Sequence, residues 1–126
     1  MIRYRYNQQL SPPAPFVHVS LQGLDGAAAI ADLPAQLDTA ADMTVVPAAM
    51  AERLGLVPFG TVQVSAFGGI LTTVRTFLAR VQIRDQEPVV IKIVSSMEEP
   101  HVLLGCDVLN RHRILLDGPR GVLEID

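Results

Sequence analysis

The chain holds one cysteine, no tryptophan, and only four phenylalanines and two tyrosines among its 126 residues. Each scarcity removes a class of function. A lone cysteine, Cys106, excludes an intrachain disulfide, so a reducing compartment such as the cytoplasm is expected. So few aromatics argue against a platform for stacking nucleic-acid bases. Basic residues are also in deficit: 10 Lys and Arg face 13 Asp and Glu, a net charge of −3, which is poorly suited to a phosphate backbone. No apolar run approaches the roughly 18 residues needed to span a bilayer. The opening stretch, "MIRYRYNQQLSPPAP", carries two arginines with no apolar segment behind them, unlike a signal peptide. His18, His101 and His112 have no metal-ligand spacing with each other or with Cys106. Phosphate loops, dinucleotide fingerprints and nucleophile elbows are missing too. The expectation is therefore no metal, no cofactor, no nucleic acid and no membrane.

What the chain does have is apolar residues, 49% against 18% charged. That composition and length describe one globular domain with a core of its own. Residues 1–15 end in "SPPAP" and read as an extended, polyproline-like arm, flexible unless a partner orders it, ahead of a domain over residues 16–126. From Phe16 onward strand patterns dominate. "FVHVSLQG" alternates, "GAAAIADLPAQLD" follows it, and "TVQVSAF" with "ILTTVRTFLARVQIR" frames Gly68 and Gly69 as a long hairpin. "EPVVIKIVSS", "HVLLG", "RILLDG" and "GVLEID" add four short strands. Only "PAAMAERLGL", opened by Pro47 and stopped by Gly55, and "CDVLNRHR", with Asp107 as a possible cap, read as helices. The sum predicts an all-β, small, closed, barrel-like fold with one or two short helices. A faint echo runs through it: strand, small-residue turn, Asp, helix occurs around Asp38 and again around Asp107.

One stretch carries chemistry. In "LDTAADMTVVP" two carboxylates, Asp38 and Asp42, stand inside an apolar frame of Leu37, Met43, Val45 and Val46. Asp is common in turns, where it caps backbone amides and does nothing more. This frame instead implies burial, and a buried carboxylate must be hydrogen-bonded, paired or protonated.

"LDTAADMTVVP", the glycine-tipped "SAFGGILTTV" and the late "VLLGCDVLNRHRILLDG" occur in that order. Together they resemble the retroviral-type, or retropepsin-like, aspartic proteases over about residues 17–126. The resemblance implies a half-enzyme that works as a homodimer on a peptide or protein substrate. Each chain would bring one catalytic Asp38, with Thr39 bracing the two loops across the dimer axis and Ala40 at the third position of the motif. Ala41 and Asp42 would line the substrate cleft, and Phe67, Gly68, Gly69 and Ile70 would form a flap that closes over it. Two carboxylates about 3 Å apart share one proton, so one serves as base toward water and the other as acid toward the peptide carbonyl; aspartic proteases are the standing example of this chemistry. In such relatives chain ends often interleave into an interface sheet, and "GVLEID" is a plausible contributor.

The sequence departs from the family pattern twice. Ala40 stands where the motif carries glycine, which costs roughly 1 kcal/mol if that position needs a positive φ and only narrows the cleft if it does not. Cys106 stands where relatives often carry an arginine that pairs with the acid at the Asp42 position; Arg111 and Arg113 are the nearby alternatives. These departures motivate a second reading, a protease-like dimer that binds peptides or protein partners without cutting. A third is a β-barrel module with no cleft chemistry, which would be a stable monomer.

Overall fold

The computed structural model describes residues 1–26, 28–65 and 68–126. The alternation of "FVHVSLQ" makes β2 (Phe16–Gln22), which turns Val17, Val19 and Leu21 inward and leaves His18 outside. It pairs with β3 (Ala29–Leu37), and the chain continues through β4 (Val45–Pro47) into helix α1 (Ala48–Leu54). Pro47 is the N-cap of α1, Gly55 ends it, and Ala51 and Leu54 form its buried side. Strands β5 (Pro58–Ser65), β6 (Leu71–Ile83), β7 (Val89–Ser96) and β8 (Val102–Leu104) follow, then helix α2 (Cys106–Leu109).

Six of these strands close on themselves in the order β2-β3-β8-β4-β7-β6, the last pairing with the first from Val19↔Ile83 to Gln22↔Arg80. Closure removes the free edges an open sheet would expose. Val17, Leu21, Val46, Ile93, Val102 and Leu104 fill the interior with almost no exposure. Burial of each such side chain contributes about 1.5–3 kcal/mol, so the barrel needs no crosslink. The all-β barrel with two short helices read from the sequence is the fold observed.

Two features depart from plain hairpin topology. The pairs β3–β8 and β4–β7 are parallel, so the strands on either side of the sequence echo lie next to each other. In the first copy of the echo β4 intervenes before the helix; in the second, β8 passes directly into α2. Among the described residues β5 pairs with β6 alone, and the β5–β6 hairpin stands off the barrel with mostly exposed side chains. Its base is fixed at a register shift, where the buried Thr76 hydroxyl donates to the Phe59 carbonyl at 2.5 Å.

The remaining strands form a separate three-stranded sheet. β1 (Ile2–Arg5), within the segment read as an arm, pairs with β10 (Val122–Ile125), which pairs in turn with β9 (Ile114–Asp117). β10 therefore has both its neighbours within its own chain.

Candidate active site

Strand β3 delivers Asp38 to the end of the barrel. Leu37 is in parallel register with Leu104 of β8, and the next amide, that of Asp38, donates to the Leu104 carbonyl at 2.9 Å. The chain then turns sharply: the Ala41 N–H donates to the Asp38 carbonyl at 3.2 Å, and the Ala40 N–H donates to Asp38 Oδ1 at 3.1 Å. One carboxylate oxygen is thus held by its own turn, as short acidic side chains often are. Asp38 is half-buried, and the ion pairs among the described residues do not include it.

A second loop braces the first. The Cys106 N–H donates to the Ala41 carbonyl at 2.8 Å, and the Asp107 N–H to that of Asp42 at 3.3 Å. The two loops approach so closely that a Cβ on Gly105 would lie 2.6 Å from the Met43 carbonyl carbon and 2.9 Å from the Ala41 oxygen. Fully buried Thr44 completes the lacing. Its N–H and hydroxyl donate to the two oxygens of Asp107 at 3.0 and 2.7 Å, and its hydroxyl accepts from the Gly105 N–H at 3.2 Å. The Cys106 thiol donates to the Thr39 carbonyl at 3.3 Å.

Several expectations are corrected or sharpened by this arrangement. Of the apolar frame Leu37 and Val46 are buried, with Thr44, and Met43 and Val45 half-buried, whereas Asp38 stands half-buried at its mouth and Asp42 is exposed. Turn backbone has to reach the surface to be satisfied, and it carries the acids out with it. Asp107 does not cap α2, whose N-cap is Gly105; its carboxylate is engaged by Thr44 instead. Neither Arg111 nor Arg113 forms an ion pair with Asp42 among the described residues. Ala40 is exposed, and the described non-glycine residues with positive φ are only Asp32 and Arg84, so the alanine carries no left-handed strain.

The five residues from Asp38 to Asp42 thus share one braced loop, with Thr39 exposed beside Ala40. Gly68 and Gly69 stand at the tip of the β5–β6 hairpin with φ of 99° and 77°, values that favour glycine there, and Ile70 beside them is 72% exposed. No hydrogen bond joins this tip to the Asp38 loop among the described residues. Phe67, expected in the same group, lies outside the described residues. Thr44 was missed from the sequence; the available signal was a threonine inside the apolar "MTVV". Among the described residues no His, Cys, Asp and Glu side chains gather as a metal site, and no helix is long and apolar enough to cross a membrane.

The family described as "gag-polyprotein putative aspartyl protease" matches residues 28–111. A retropepsin-like aspartic protease from Rickettsia conorii superposes with a TM-score of 0.65 at 16% identity, covering 97% of this chain and 86% of its own. The EIAV protease, solved in complex with the inhibitor HBY-793, gives 0.51 at 25% identity and coverages of 86% and 93%. The foamy viral protease-reverse transcriptase gives 0.55 at 14% identity over 79% of this chain, which spans only 16% of that longer one. No curated protein matches the sequence.

Proposed function

The chain belongs to the gag-polyprotein aspartyl protease family, within the retropepsin-like group, and on that premise we propose that two copies assemble into an aspartic endopeptidase. One Asp38 from each subunit holds the attacking water. One carboxylate takes its proton while the other protonates the carbonyl oxygen of the scissile peptide. The two β5–β6 hairpins act as flaps, closing over an extended substrate and excluding water. Thr39 braces the two loops, and Ala41 and Asp42 line the cleft beside Gly68, Gly69 and Ile70.

The observation that carries this reading is the Asp38 loop itself. A turn of small residues presents one half-buried carboxylate, held from behind by the Cys106 and Asp107 amides, with no bond to its second oxygen among the described residues. Such rigid support is what a reagent needs and what turn punctuation does not. The test is digestion of a broad peptide library by the purified protein from about pH 3 to 7. Cleavage lost on Asp38→Asn is the expected result; cleavage retained in that variant, or none by the native protein, overturns it.

A second reading, a dimer that binds peptides without cutting them, is favoured by one observation. The Ala40 methyl sits on the exposed face of the loop beside Asp38, where it takes space that a glycine would leave to substrate.

A further inference from the structure

We propose that Gln36 decides what this site accepts. With Leu103 and His101 it forms a pocket for a carboxamide, the side chain of glutamine or asparagine, on the substrate residue beside the scissile bond. The inference deepens the endopeptidase reading and rests on it.

The pocket follows from the alternation of β3. Leu33, Ala35 and Leu37 are buried, so Gln36, between the last two, stands half-buried on the outer face. Asp38 is two residues on, about 6.6 Å along the strand, and its amide still bonds into the ladder. The two side chains therefore share a face. Strand pairing adds the neighbours. Gln36 is in register with Leu103 of β8 on one side and with Phe16 of β2 on the other, and residues in register share a face. Leu103 is half-buried between the fully buried Val102 and Leu104. His101, two residues before Leu103, packs edge-on against the Phe16 ring with 5.3 Å between centroids. Gln36 thus has an apolar neighbour on either side, an imidazole beside one of them, and the Asp38 loop ahead.

The amide in this frame is uncommitted. Among the described residues neither the Gln36 side chain nor the His101 ring makes a hydrogen bond. The buried polar side-chain atom left without a partner among those residues is the Tyr4 hydroxyl alone, so the Gln36 amide still reaches solvent. Its N–H donors and its carbonyl are free for a ligand. An extended peptide lying across Asp38 rises about 3.3 Å per residue, which brings the side chain adjoining the cut within reach of Gln36. A carboxamide there both gives and takes a hydrogen bond with the Gln36 amide, while its methylenes lie against Leu103. A carboxylate can only accept, which leaves the Gln36 carbonyl facing an oxygen. An aliphatic side chain would strip water from the amide and return nothing, and each lost hydrogen bond is worth about tenfold in discrimination.

The test is the set of peptides retained from a random library by the immobilised Asp38→Asn protein, which on this reading binds without cutting. Glutamine and asparagine should be enriched about tenfold at a defined position. Gln36→Leu in that background should move the same position to leucine, isoleucine and phenylalanine. Gln36→Glu keeps the shape and replaces the donors with a negative charge, so it should move the position to lysine and arginine. Bonds cut by the native protein should show the same carboxamide preference at a residue flanking the cut. No peptide retained, a native preference for apolar residues on both sides of the cut, or selection indifferent to both substitutions overturns the proposal. Selection that follows position 36 without any cleavage by the native protein supports the pocket and removes the endopeptidase reading. Cleavage with a profile indifferent to position 36 does the reverse.

Discussion

Asp38→Asn preserves the volume of the side chain and an oxygen for the Ala40 N–H, so it isolates proton transfer from scaffold. The expected outcome is a fall in kcat of at least about 100-fold with little change in KM, measured on any peptide the native protein cleaves. Ala40→Gly probes the neighbouring position. Because Ala40 has no positive φ to relieve, glycine brings only backbone entropy and should destabilise by about 0.5–1 kcal/mol in denaturant titration. Its effect on turnover separates the two functional readings: a gain above about tenfold marks the native site as obstructed, and little change marks it as competent. At this scale the sequence was informative about identity and silent about conformation. "DTAAD" pointed to Asp38 as the candidate reagent, but the sign of φ at Ala40 depends on how the turn is laced, which no local pattern encodes.

Elements come together here through contacts between residues far apart in the chain. Thr44 and Asp107 are 63 positions apart, and their two hydrogen bonds fasten the Asp38 loop to the start of α2. Thr44→Val keeps the shape but removes the hydroxyl, leaving the Gly105 N–H without its acceptor and one Asp107 oxygen without its donor. The cost should be about 2–3 kcal/mol in an equilibrium unfolding experiment. Gly105→Ala forces a methyl into the backbone of residues 41 and 43. With nothing flexible to give way, the loss should be about 3 kcal/mol, seen as a Tm lowered by roughly 10 °C, and cleavage should fall with it. Strand periodicity made the barrel legible, since alternation in "FVHVSLQ" and its successors marks which side faces in. The role of Asp107 was misread as a cap because a helix start is a local signal, whereas its true partner is visible only once β4 and β8 are neighbours.

For the whole molecule, the proposed reading makes each chain supply half of the chemistry. A site shared between subunits has a consequence that a site within one chain lacks, because an inactive partner poisons it. Adding an equal amount of the Asp38→Asn variant to a fixed amount of native protein, with free exchange, leaves about half the native chains paired with each other. Activity should therefore fall to about half, and to about one quarter at threefold excess, since only native pairs carry two ionisable carboxylates. A chain that cut peptides alone would show no loss at any ratio. Dilution gives an independent check, because specific activity should drop as dimers dissociate.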